Sequence, residues 1–321
     1  MRVMAGLVTR LGRFDRRWIF LVMGLAIVIP LYLPIGLPIK PSPMTKAAFN
    51  TVEALREGDV VYVSLDVEPA STPEVEPYFR ALMLQLKRKG VRMVFGTLWY
   101  TAPPLAERWL REVVDEPLAP AGTAGYRGAP DRAYVRNVDY VYLGFREGQV
   151  NTMLGMATDL RRVFDGRTED GLPLDRVPWL ANVHSLADMK LLISVSALNP
   201  GAKEWVQYVQ GRYRLRMVAA TTAVSTTDLA PYYQSGQLLG LVAGLSGAAE
   251  YEVLVGRPGI GVAGADVLNV GHAVVILAIV LGNVLYLAGR RGRRGGGGPE
   301  RGGGGPERGR GGPERPGEEV A

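Results

Sequence analysis

The sequence predicts an α/β domain with a mostly parallel sheet, flanked by two transmembrane helices. Between residues 59 and 258, apolar strand-like runs alternate with amphipathic helix-like runs. Strands that are apolar on both faces and alternate with helices indicate a parallel sheet covered on both sides. Residues 18–39 and 267–288 carry no charged side chain. Each run is long enough to cross, as a helix, a bilayer core of about 30 Å.

The first apolar run follows an arginine-rich segment, residues 1–17, which we expect to be a basic cytoplasmic N-terminus. We interpret residues 18–39 as an uncleaved signal anchor, because the run exceeds the apolar region of a secretory signal peptide and no clear cleavage site follows it. A cleaved signal peptide is the alternative. Prolines 30, 34 and 38 predict that the regular helix ends near Ile29 or shortly after it. Residues 40–58 are then a linker.

The second apolar run, residues 267–288, comes after a short predicted linker, residues 259–266, and is followed at once by four arginines. Because arginine next to a membrane helix tends to stay in the cytoplasm, we expect a two-pass protein of the cell membrane with both termini cytoplasmic and the domain outside. Residues 289–321 repeat the motif GGGGPER, which has almost nothing to bury, so a disordered cytoplasmic tail is predicted.

The domain itself, residues 59–258, is predicted to contain five strands and the helices between them. The strands are predicted at residues 59–66, 91–98, 139–145, 191–197 and 214–221. The helices are predicted at residues 73–89, 103–114, 149–164, 202–212 and 228–254. Two stretches that interrupt the alternation, 115–135 and 166–186, are predicted as loops. Five such units fit a doubly wound sheet of the Rossmann-like or flavodoxin-like kind, and the strand order stays open.

The last predicted helix contains a charge-free stretch, residues 229–249, which allows a second interpretation as a third membrane crossing. A third crossing would place the arginine-rich tail outside the cytoplasm, against the usual charge bias. We therefore predict a buried helix of the domain. Small residues recur along it at every fourth position: Gly236, Gly240, Gly244 and Ala248. Such a stripe lets another backbone approach closely, either the domain's own sheet or a second protomer at an oligomer interface.

Ligands of open parallel sheets bind at the carboxyl ends of the strands. The sequence places a set of polar candidates there for a small polar ligand: Asp66, Glu68, Thr97, Arg146, Ser196 and Thr222. Strand ends are also polar simply because they meet solvent, and this remains the competing explanation.

Catalysis has little support in the sequence. Asp66 and Glu68 resemble the acidic pair of haloacid-dehalogenase-like phosphatases, but that family has aspartate at the second position and a further acidic pair, which no residues after the fifth strand match. The chain has no cysteine and two histidines. It also lacks the phosphate-loop, dinucleotide, serine-hydrolase and zinc-protease motifs. We predict no catalytic residue, no cofactor and no metal site.

These patterns lead to three functional hypotheses. The leading one is a non-enzymatic interaction or assembly component of the cell envelope, whose partners are the lipid bilayer and either a second copy or another membrane protein. The alternative is a sensor or binding domain for a small polar ligand at the strand ends, and the third is a metal-dependent hydrolase. Nucleic acid is excluded as a partner, because the net charge of +6 comes from the two ends of the chain and not from the domain.

Overall fold

The computed structural model of the protein describes residues 16–33, 35–115 and 133–294. Three predicted features therefore lie wholly or largely outside the described residues: the basic N-terminus, the repetitive tail and most of the 115–135 loop. The chain divides into two compact units, of which one takes in residues 1–21 and 274–321 and the other is Val22–Ala273. The α/β domain belongs to the second unit.

Six strands form one sheet within the described residues, and every neighbouring pair is parallel. The strands are β1 Val60–Asp66, β2 Arg92–Thr97, β3 Tyr140–Phe145, β4 Leu191–Ser196, β5 Met217–Thr221 and β6 Gly240–Ala243. Their order is β3-β2-β1-β4-β5-β6, which is the order of the doubly wound Rossmann sheet and not that of flavodoxin. The predicted class of fold is thus confirmed, with one strand more than expected.

Helices cover both faces of this sheet. The helices of the described residues are α1 Arg16–Tyr32, α2 Pro43–Glu53, α3 Thr72–Arg88, α4 Pro103–Trp109, α5 Gln149–Val163, α6 Ala202–Glu204 (with a last turn at Gly211–Tyr213), α7 Thr226–Gln234, α8 Gly244–Val255 and α9 Ile260–Arg294. Two of them continue as π-helix, α4 through Leu110–Val114 and α6 through Trp205–Gln210. Residues 40–58, predicted as a linker, contain α2, and the predicted 166–186 loop contains short 3-10 turns.

Alternate residues of the strands point into two separate apolar cores. On one face, Val61, Val63 and Leu65 of β1 pack with α2, α3, α4 and α8. On the other face, Tyr62 of β1 packs with α5, α6 and α7. Burial on both faces explains why the strands are nearly continuous apolar runs in the sequence.

The sixth strand corrects the predicted helix 228–254. Residues Thr226–Gln234 and Gly244–Val255 are helical, but β6 lies between them and pairs with β5. Gly236, at φ +77°, lies beyond the end of α7 in a left-handed backbone conformation that glycine adopts without steric cost. The predicted glycine stripe along one helix was therefore wrong, because its four members lie in a turn, a strand and the following helix.

One helix of the described residues is long and apolar enough to cross a membrane, the run Ile260–Val284 of α9. The predicted second crossing at residues 18–39 is not supported. Within the described residues, α1 covers Arg16–Tyr32, 17 residues, which is about 25 Å at 1.5 Å per residue. Its early end agrees with the prediction from the prolines. Helix α9 starts inside the predicted linker 259–266, so the helix begins within the domain before its apolar run.

Candidate functional site

The carboxyl end of β1 is organised by Asp66, whose side chain is 0% exposed. Its Oδ1 accepts the backbone N–H of Leu98 at 2.7 Å, and its Oδ2 accepts the hydroxyl of Ser64 at 2.6 Å. Desolvation by burial raises the pKa of the Asp66 carboxyl to about 6, against the opposing effect of these hydrogen bonds. Both oxygens are thus engaged within the chain, and Asp66 ties the ends of β1 and β2 together.

The same contacts extend to the π-helical continuation of α6. The Ser64 hydroxyl, which donates to Asp66, accepts the indole N–H of Trp205 at 3.2 Å. Trp205 is fully buried and its ring lies 5.8 Å from that of Tyr62. A buried polar group costs free energy unless it is paired, so this chain of bonds stabilises the packing of α6 against β1.

The loop that leaves β4 is held close to the sheet by Ser196 and Gly201. The Ser196 hydroxyl accepts the backbone N–H of Ala202, the first residue of α6, at 2.9 Å. A Cβ atom at Gly201 would lie 2.2 Å from the Leu198 carbonyl oxygen and 3.0 Å from the Ser196 hydroxyl oxygen. Only glycine fits this close approach, which sets the start of α6 beside the end of β4.

A cleft of about 190 Å³ lies at the carboxyl ends of β4 and β5, between α6 and α7. It is lined by Ser196, Ala197, Leu198, Asn199, Ala202, Lys203, Thr221, Ser225, Asp228 and Leu229. Its two charged side chains, Lys203 and Asp228, form an ion pair at 3.5 Å and are 38% and 62% exposed, so they lie on the solvent side. The cleft is smaller than the roughly 300–1,000 Å³ of pockets for drug-sized ligands, so it has room only for a small molecule.

Of the predicted ligand-binding residues, only Ser196 lines this cleft. Asp66 is buried and engaged as described, and the Thr97 hydroxyl accepts the backbone N–H of Trp99 at 3.0 Å. Arg146 forms an ion pair with Asp165 and lies over the ring of Phe164. Glu68 is half-buried in the loop after β1, and Thr222 lies one position beyond the cleft residue Thr221.

The polar residues of the cleft that are not among the predicted ligand-binding residues include Lys203, Thr221, Ser225 and Asp228. Three of them lie at the start of a helix that follows a strand, and not at the strand end itself. They could have been found by also searching for polar residues at the start of the helix that follows each of two neighbouring strands. That search requires knowing that β4 and β5 are neighbours.

A larger cavity, of about 450 Å³, lies elsewhere, between α3, the π-helical continuation of α4 and the loop before α9. Apart from the exposed Arg257, its charged side chains are engaged inside the chain. Arg80 pairs with Glu76 and Glu112, and Glu252 accepts three backbone N–H groups of the loop and of α9. We therefore place the candidate site at the strand ends, where the cleft offers hydroxyl groups beside a solvent-facing ion pair.

The small residues of the predicted stripe make their close contacts within the chain. A Cβ atom at Gly240 would lie 2.2 Å from the backbone nitrogen of Ala48 in α2. Gly244 has φ +55°, and its Cβ atom would meet Ala223 and Glu74 at 2.8 Å. The second of the two predicted explanations, an oligomer interface at these residues, stays a prediction.

No cluster of three or more histidine, cysteine or acidic side chains suited to a metal ion occurs in the part of the chain that the structure describes. Comparison of the chain with protein-family models, with curated proteins and with solved structures finds no match.

Proposed function

We propose that this protein is a membrane-tethered binding domain that takes a small polar ligand in the cleft at the carboxyl ends of β4 and β5. The observation that carries the proposal is the cleft itself, in which the hydroxyls of Ser196, Thr221 and Ser225 lie beside the Lys203–Asp228 pair. The cleft lies next to the point where the strand order reverses, between β1 and β4, where open α/β sheets bind their ligands.

The site favours binding over catalysis, and a small ligand over a dinucleotide. Its cation and its carboxylate are paired with each other, and both are exposed enough to contact a ligand together with the hydroxyl groups beside them. The loop after β1 reads Val-Glu-Pro-Ala-Ser and has no glycine. A dinucleotide needs glycines at this turn so that its pyrophosphate can approach the backbone.

The proposed tether is α9, whose apolar run is followed by four arginines. The charge bias of membrane proteins then keeps these arginines in the cytoplasm and holds the domain outside. An assembly role in the cell envelope is compatible with this tether. The glycines that were predicted to line one helix do not share a helix, so they no longer support an assembly role. A binding role is therefore the better supported of the two.

The test is a thermal-shift screen of the full-length chain in mild detergent against small amino acids, carboxylates, polyols and inorganic phosphate. A specific ligand at 100 times its Kd stabilises the folded state by about 2.7 kcal/mol. Lys203→Gln and Asp228→Asn should abolish the shift. Lys190→Gln is the matched control, because Lys190 is an exposed lysine at the opposite end of β4.

Native mass spectrometry of the same preparation provides the second measurement. A bound small molecule that is lost from the Lys203→Gln variant supports the proposal. A chain that carries no extra mass and gains no stability from any compound in the screen contradicts it, and a defined oligomer would return attention to assembly.

A further inference from the structure

The first part of α9, residues 260–273, shows at which edge of the sheet the apolar run of this helix begins. Helix α8 starts directly after β6, so its first residue, Gly244, lies at the carboxyl edge and its last residue lies at the amino edge. Helix α9 runs back along it: Gly261 lies beside Glu252, Val262 and Ala265 pack on Ala249, and Gly264 contacts Leu245. By Gly264, α9 has therefore returned to the carboxyl edge.

Just beyond this level the side chains of α9 become exposed. Asp266 is 0% exposed, whereas Leu268 is already exposed, and the charge-free run begins at residue 267. At 1.5 Å per residue, Leu268 lies roughly 6 Å beyond Gly264 along the helix axis. The apolar run thus starts close to the carboxyl edge, while the amino edge lies on the far side of the domain.

The chain segment after α1 meets α9 at the same level. The backbone N–H groups of Gly36 and Leu37 donate to the Asp266 carboxylate at 2.8 and 3.1 Å. Further on, Ser42 donates its backbone N–H and its hydroxyl to Glu250 on α8. These buried and half-buried bonds fix the first two turns of α9 and the preceding segment to the domain, so the direction of α9 at this point is set by contacts.

The loops of the carboxyl edge carry exposed apolar and aromatic side chains. Tyr100, after β2, is 70% exposed and lies against Trp99, with ring centroids 5.4 Å apart. Val224, after β5, is 83% exposed, and Phe145 at the end of β3 is also exposed. Tyrosine and tryptophan are enriched where proteins meet the headgroup layer, because their rings are apolar at one end and polar at the other.

We propose that the carboxyl edge of the sheet rests on the bilayer, with the Trp99–Tyr100 loop and the Val224 loop in contact with the headgroup region. The proposal rests on the proposed anchoring by α9. Acidic side chains share this edge, among them Glu68, Glu74 and Glu147. Because acidic groups repel anionic lipid headgroups, the contact is made by rings and apolar groups. The proposed partner of this edge is a zwitterionic lipid bilayer.

The test uses the full-length chain in phosphatidylcholine nanodiscs. The chain has no cysteine, so single cysteines can carry an environment-sensitive fluorophore. Tyr100→Cys and Val224→Cys report on the carboxyl edge. Each variant keeps the other of these two contact residues. Glu57→Cys, exposed in the turn before β1, is the matched control at the amino edge, and Ile276→Cys reports on α9. Iodide quenches labels from water, and nitroxide lipids quench them from the bilayer.

We expect the labels at positions 100 and 224 to lose iodide quenching relative to position 57 and to be quenched by headgroup nitroxides. We expect deep nitroxides to quench position 276. If position 276 behaves as membrane-embedded while positions 100 and 224 match position 57, the edge does not touch lipid and the proposal is refuted, although the anchor stands. If position 276 is quenched only from water, the anchor itself is refuted and the proposal falls with it.

Discussion

The ionisation of Asp66 should make the stability of the fold depend on pH in a direction opposite to that of most aspartates. Burial raises the pKa of this carboxyl to about 6 in the folded protein, against about 3.9 in an unfolded chain. The folded state therefore binds the proton more tightly. The stabilisation is fully present below about pH 4 and is lost as the pH rises towards 6.

The magnitude follows from the size of the shift. A difference of about two pKa units corresponds to about 3 kcal/mol of unfolding free energy across this window. Asp66→Asn removes the titration, since an amide is neutral at every pH. Its carbonyl oxygen can still accept the backbone N–H of Leu98, which the carboxylate accepts at 2.7 Å. The variant should therefore fold.

The assay is urea unfolding of the full-length chain in mild detergent at pH 4, 5, 6 and 7, followed by tryptophan fluorescence. The unfolding free energy of Asp66→Asn minus that of the parent should increase by about 3 kcal/mol from pH 4 to pH 7. Asp159→Asn, at an exposed position on α5, is the matched control. A difference for Asp66→Asn that stays constant with pH would refute the reasoning.

Three further predictions concern packing, the start of α9 and topology. Gly240→Ala places a methyl group against the backbone of α2 and should cost about 1–3 kcal/mol or more in urea unfolding. Gly271→Ala, with open space around it, should cost nothing measurable. Glu252→Ala leaves the three backbone N–H groups it accepts unpaired and should lower the unfolding free energy by about 1–3 kcal/mol; an unchanged urea midpoint would contradict this. In intact cells, a membrane-impermeant maleimide should label Gln234→Cys but not Gly297→Cys, and the reverse pattern would invert the proposed topology.

Five of the six strands could be predicted from the sequence because burial on both faces leaves a continuous apolar run. The run of β1 differs from its prediction by a single residue, and that of β4 likewise. Strand β6 could not be predicted in this way. It has four residues, of which Val242 alone is β-branched, and its conformation depends on pairing with β5 and on the close packing of α2. Gly236, Gly240 and Gly244 lie before, in and after this strand, and their spacing at every fourth position imitated a helix face.

The candidate site was less predictable than the fold, for a related reason. Asp66 and Thr97 were correctly placed at strand ends. Both are buried, however, and their oxygens accept the backbone N–H groups of Leu98 and Trp99. Lys203 and Asp228 come from helices that follow different strands, and they meet only because β4 and β5 are neighbours. Strand order is set by how the whole chain packs, which no local pattern in this sequence encodes.

The contacts around α8 fix the start of α9 to the domain that carries the candidate site. Glu250, Glu252 and Asp266 accept backbone N–H groups from the segment after α1 and from the start of α9. Each bond joins parts of the domain that lie beside the membrane-directed helix, and the three carboxylates are half-buried or buried. A flexible tether would let the cleft face any direction. If the carboxyl edge rests on the bilayer as proposed, a tether held by these bonds keeps the cleft, which opens at that edge, close to the bilayer. A ligand at the membrane surface would therefore reach it over a shorter distance than one in bulk solution.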